Sequence, residues 1–157
     1  MSSFQIASKL LFNVGLSFLF LLAFIGCDHS SGQSASKVTS VYLGEKLIHI
    51  EIVSKDRDMK KGLMNRSSLD KDSGMLFVFK TPSTMKFWMK NTRIPLDIGF
   101  FDEMGTLREI KKLYPLDLDL KESRDDDIKY ALEMNQGWFS SNEIKRGAIL
   151  ELDSLKH

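Results

Sequence analysis

The chain opens with a long uncharged run: from Leu10 to Gly26, LLFNVGLSFLFLLAFIG, no residue is ionisable, and the run follows a short polar head carrying Lys9. That layout is an export signal over residues 1–26. The run is at the short edge of the ~20 residues that cross a hydrocarbon core, which favours a signal over a permanent span. Residues 28–37, DHSSGQSASK, are small and polar without periodicity, so 27–37 reads as a flexible tether. Beyond it the pattern turns to short alternations. Val38 to Leu43 and Leu47 to Val53 flank Gly44-Glu45-Lys46 as a hairpin, with Ile48, Ile50 and Ile52 inward and His49 and Glu51 outward. Ser54 to Met64 predicts a short helix ending near Gly62.

Gly74 to Phe79 predicts a buried strand, and Lys86 to Lys90 with Ile94 to Phe101 a second hairpin around Asn91-Thr92-Arg93. In that pair Met85, Phe87 and Met89 share a face, as do Ile94, Leu96, Ile98 and Phe100, so both line one core. The other face collects Lys86, Trp88 and Lys90 beside Pro95 and Asp97; a tight turn sets Trp88 opposite Pro95 and Lys86 opposite Asp97. Leu107 to Leu113, Tyr130 to Asn135 and Ala148 to Leu152 predict three more strands, and Gly137 to Ile144 a brief helix or turn. The expected architecture for residues 38–157 is a single α+β domain, mostly antiparallel β and barrel-like, of about seven short strands with one or two short helices.

Composition narrows the classes. Lys and Arg number 22 against 21 Asp and Glu, a balance that offers no electrostatic footprint for nucleic acid. Cys27, the only cysteine, cannot form an internal disulfide. The segment Leu22-Ala23-Phe24-Ile25-Gly26-Cys27 resembles the lipobox of bacterial lipoproteins, with Phe24 where a smaller aliphatic is usual. That resemblance implies lipidation at Cys27, a stable membrane anchor and a place in the cell envelope facing the periplasm or exterior. An uncleaved anchor, and ordinary cleavage leaving a free thiol, are the alternatives.

Three blocks carry a second resemblance. Gly62-Leu63-Met64-Asn65-Arg66-Ser67-Ser68-Leu69 and Gly74-Met75-Leu76-Phe77-Val78-Phe79 are followed by Phe87 through Phe100, FWMKNTRIPLDIGF. With the tail Leu132-Glu133-Met134-Asn135-Gln136-Gly137-Trp138-Phe139, they resemble the family called domain of unknown function 192, in order over about residues 45 to 152. The resemblance implies a small, mostly antiparallel β domain and supplies no reaction.

His49 is the one histidine inside the expected domain, since His29 lies in the tether and His157 ends the chain. A histidine triad and a three-histidine zinc site are thereby excluded, no phosphate-cradling glycine loop is present, and acid–base work falls to carboxylates and lysine. The expected working face is Trp88, Lys90, Asn91, Asp97, Glu133 and Asn135. Trp88 would stack on a sugar or other planar ligand, Lys90 would steady an anion, and the carboxylates of Asp97 and Glu133 would share acid and base duty or hold a cation. The same residues also suit a structural network in which lysine pairs with carboxylate and asparagines satisfy turns. The acidic loop from Asp117 to Asp127 fails the calcium-loop pattern at Lys121, Glu122 and Ile128. Met64, Met75, Met85 and Met89 fit gap-filling in the core better than copper ligation. The reading is therefore an envelope lipoprotein whose domain is a ligand-binding or accessory module for an envelope sugar or protein, with no cofactor or metal expected. One alternative is a hydrolase or lyase of envelope carbohydrate using Asp97 and Glu133 as acid and base; the other is a structural interaction domain.

Overall fold

The computed structural model describes residues 38–153; the signal segment, Cys27 and the tether lie outside the described residues. In chain order the elements are β1 (Val38–Leu43), β2 (Lys46–Val53), α1 (Asp56–Lys61), β3 (Ser73–Ser83), β4 (Lys86–Phe87), β5 (Leu96–Asp102), β6 (Leu107–Leu113), β7 (Lys121–Glu122), β8 (Ile128–Asn135) and α2 (Trp138–Ser141). Six strands form one sheet in the order β1-β2-β3-β8-β5-β6, and β4 pairs with β7 in a two-residue ribbon. Every neighbour in the large sheet is antiparallel except β2 and β3, which run parallel. A parallel pair needs a crossover, and residues 54–72 with α1 supply it.

The domain is thus mostly antiparallel β with two short helices, as the alternation predicts. The sheet is not closed by a continuous ladder. Its two edges are instead bridged by the segment after α2: Glu151 donates to the Tyr42 carbonyl and Leu107 donates to the Ala148 carbonyl, each at 2.8 Å. The expected strand from Ala148 to Leu152 is reduced to two isolated bridges, Leu43 to Leu150 and Thr106 to Ile149.

Both faces of the sheet are covered. Met75 and Phe77 of β3, Leu96, Ile98 and Phe100 of β5 and Ala131 of β8 form one core, beneath the crossover and the segment that includes β4. Leu76, Phe101, Leu132 and Met134 project to the other face, where Trp138 and Phe139 of α2 pack on them. Gly99 admits this contact, because a Cβ there would lie 2.9 Å from the Phe139 ring.

The expected hairpin between Lys86–Lys90 and Ile94–Phe101 does not form. β5 lies between β6 and β8, and Lys86 opposes Glu122 in an ion pair of 2.8 Å rather than Asp97. Met89 and Thr92 close a turn of their own (Thr92 N–H to the Met89 carbonyl, 3.0 Å), while Met89 N–H bonds the Asp117 carbonyl at 2.8 Å. These bonds draw the chain away from β5. Met85, Phe87 and Met89 still bury against Ile94, Leu96, Ile98 and Phe100, since alternation sets the buried face without setting the pairing partner.

Candidate functional site: a cavity floored by Glu133

The cross-strand register places four side chains in a row on the crossover face. Glu51 of β2 opposes Met75 of β3, Met75 opposes Glu133 of β8, and Glu133 opposes Ile98 of β5. Residues directly opposite one another project to the same side of a sheet. The row therefore lies under residues 54–72, and its two ionisable members meet different fates. Glu51 is held by Arg66 of the crossover in a two-pronged pair, with the second contact at 2.7 Å. The guanidinium's pKa is raised, chiefly by this hydrogen bond.

Glu133 has no such partner. It is 5% exposed, its carboxyl makes no hydrogen bond or ion pair among the described residues, and it lines a cavity of about 220 Å³. Phe77, Phe79, Phe87 and Leu63 give the cavity an apolar wall, Thr92 a polar edge, and Met59, Met64 and Trp88 further lining on a half-open space. The rings are mutually braced: Phe87 meets Phe77 edge-on at 5.0 Å and Phe79 at 6.2 Å. Burial alone pushes the Glu133 carboxyl up to about 8, so at neutral pH it is mostly the protonated acid.

α1 ends beside the cavity because Gly62 takes a φ of +46°, a value L side chains rarely adopt, at a point where a Cβ would lie 3.4 Å from the Phe77 ring. The last turn of α1 thereby brings Lys60 and Lys61, both exposed, to the cavity lining. Three further ties hold the crossover down. The Asn135 amide donates to the Leu69 and Asp70 carbonyls, each at 3.0 Å, Asn65 N–H donates to the Asn91 carbonyl at 2.9 Å, and the Trp138 indole donates to Asp72 at 3.0 Å.

The six residues expected to share a working face are divided. Glu133 and Trp88 both line the cavity, Trp88 being 46% exposed with the Lys90 ammonium 5.2 Å from its ring centroid. Asn91 adopts a φ of 56° in the Met89–Thr92 turn and tethers the crossover through its carbonyl. Asn135 holds the same segment with its side chain. Asp97 lies on the far face: it opposes Met134, whose side chain joins the α2 core, and its Oδ2 accepts the Gly137 N–H at 2.8 Å. Its Oδ1 is buried without a hydrogen bond, and desolvation raises its pKa against the opposing pulls of the Gly137 N–H and Lys112. Asp97 and Glu133 are thus separated by the sheet and do not form the acid–base pair that one shared face would require. Among the described residues no group of three His, Cys, Asp or Glu is placed to hold a metal ion.

Sequence reasoning passed over Lys60, Lys61 and the phenylalanine wall, whose partners are distant in the chain, and read Arg66 only as part of a motif. The family DUF192, described as "Uncharacterized ACR", matches residues 39–152. The chain belongs to the DUF192 family. The match runs from the second residue of β1 through α2, the Glu133 cavity included. Two solved structures resemble this DUF192 domain. A protein of unknown function from Novosphingobium aromaticivorans DSM 12444 is 28% identical with a TM-score of 0.71, covering 76% of this chain and 89% of its own. A protein from Sinorhizobium meliloti 1021, provisionally described as a transcription regulator, is 30% identical with a TM-score of 0.67, covering 71% of this chain and 89% of its own. No curated protein matches the chain.

Proposed function

We propose that this DUF192 protein is a lipid-anchored envelope protein whose domain binds a small ligand in the Glu133 cavity. The anchor rests on the charge-free run from Leu10 to Gly26 ending at Cys27, and the tether on residues 28–37. The binding function rests on one observation, a buried carboxyl with no partner at the floor of a largely apolar cavity. The Glu133 oxygens face the open space of the cavity without a donor among the described residues, which leaves them free to take one from a ligand. A group left unpaired beside open space suits a ligand that completes it. Trp88 and Glu133 serve as ligand contacts in this reading; Asn91 and Asn135 act through the crossover wall, and Lys90 through the Trp88 ring.

The test is a thermal-shift screen of the full chain in maltoside micelles against small envelope metabolites, repeated with Met64→Trp, which fills the cavity from its wall. A ligand that raises the midpoint dose-dependently in the parent, and loses that effect in the folded variant, upholds the site. A panel without response, or responses that Met64→Trp leaves intact, refutes it.

A further inference from the structure

We infer that the cavity receives the ammonium end of a zwitterion, whose anionic group stays at the entrance beside Lys60 and Lys61. This deepens the ligand-site reading above and rests on it.

The two ends of the site ask for opposite charges. At the floor, the Glu133 carboxyl has no cation to offset it: the only cause acting on it is burial. Around it stand Phe77, Phe79 and Phe87, and aromatic faces attract cations through their quadrupole. An anion there would add repulsion the moment Glu133 ionised, and a hydrocarbon would leave the carboxyl as unpaired as it is now. An ammonium group supplies the missing counter-charge and suits the rings as well.

At the mouth the chemistry reverses. Of the lysines lining the cavity, Lys86 is paired with Glu122 at 2.8 Å, whereas Lys60 and Lys61 carry no ion pair among the described residues. Both stand in the last turn of α1. A bare cation would be repelled on entering past them; a molecule with an anionic group a few bonds behind its ammonium satisfies both ends. The half-open space, about 220 Å³, falls below that of a drug-sized pocket and suits a head group of a few carbons.

The arrangement predicts a proton balance. When the ammonium arrives, the protonated Glu133 becomes a carboxylate and its proton passes to the buffer; no other bond changes. Lys60, Lys61 and Lys86 are the other ionisable groups lining the cavity, and a phosphate monoester held by them can shed its own second proton, so release that is also seen with glycerophosphocholine, a phosphodiester without that proton, and is lost in Glu133→Gln identifies Glu133 as the source.

Titration calorimetry at pH 7 on the full chain in maltoside micelles, in two buffers of different ionisation enthalpy, tests this with phosphocholine, tetramethylammonium and inorganic phosphate. Phosphocholine is expected to bind with release of close to one proton. Glu133→Gln, whose neutral amide mimics the protonated acid and so keeps the fold, is expected to weaken binding about tenfold or more and to abolish the release. Lys60→Glu with Lys61→Glu is expected to weaken phosphocholine about fivefold or more while tetramethylammonium binds no worse. Glycerophosphocholine binding more tightly than glycine betaine assigns the ligand to a lipid head group; the reverse assigns it to a free solute, and either upholds the zwitterion.

Binding without proton release, or release that survives Glu133→Gln, overturns the inference. Silence toward phosphocholine, glycerophosphocholine and betaine alike, while another ligand still gives a Met64→Trp-sensitive shift, overturns the zwitterion and leaves the cavity as a site. Silence toward everything removes both.

Discussion

Burying the Glu133 carboxyl beside Phe77 and Phe87 ties stability to pH in a definite direction. Its folded value of about 8 lies above the ordinary 4.5, so the folded state holds an extra proton between those limits. The associated stability is fully present below pH 4.5 and is lost as pH rises through about 8. The full swing is on the order of 5 kcal/mol. Urea unfolding at pH 5, 7 and 9 is expected to show this decline in the parent and a nearly flat profile in Glu133→Gln. Asp97 makes a contrast. Asp97→Ala removes the acceptor of the Gly137 N–H and is expected to lower stability by about 1–3 kcal/mol, read as a lower urea midpoint, with ligand shifts at the cavity unchanged. Loss of those shifts in the folded variant would show that the sheet does not separate the two carboxylates functionally.

Among elements, the crossover between β2 and β3 is what turns a sheet face into a cavity. Its local signals were partly legible: the short helix, its end at Gly62 and the bounds of β1 follow from helical spacing, glycine and period-two alternation, while Ser54 does not cap the helix, whose N-cap is Lys55 without a side-chain hydrogen bond. Its function as a wall was not, because that depends on pairs remote in the chain, Arg66 with Glu51 and Asn135 with Leu69 and Asp70. Arg66→Leu removes the two-pronged pair, which is half-buried, and is expected to destabilise by about 1–3 kcal/mol. Native-state hydrogen exchange should quicken selectively over residues 54–72, where the tie is lost, and ligand affinity should fall with it. Uniform loss of protection across the sheet would place the pair in the global fold instead. The missed hairpin teaches the same distinction. Burial on one core placed Met85 through Met89 and Ile94 through Phe100 together, but the turn at Met89–Thr92 and the β4–β7 ribbon decided which strand each segment meets.

For the whole molecule, the anchor proposal makes its own prediction. Cys27→Ser is expected to abolish incorporation of a clickable palmitate analogue and to leave an uncleaved precursor, read by gel shift and by fluorescence after labelling. Unchanged labelling would dismiss Cys27 as the lipid site. By itself the sequence determined the β-rich class, the short helices, the positions of most strands and the membership of the core, because these follow from local periodicity and turn chemistry. Only the tertiary structure decided the site. Which parity of β8 shares a side with which parity of β5 is set by register, and a slip of one residue reverses every side chain. Since both faces of this sheet are covered, an alternating polar position marks no solvent face: Glu133 fell beneath the crossover and Asp97 beneath α2. Whether a carboxylate meets a ligand or a backbone N–H thus depends on neighbours that only long-range pairing brings together.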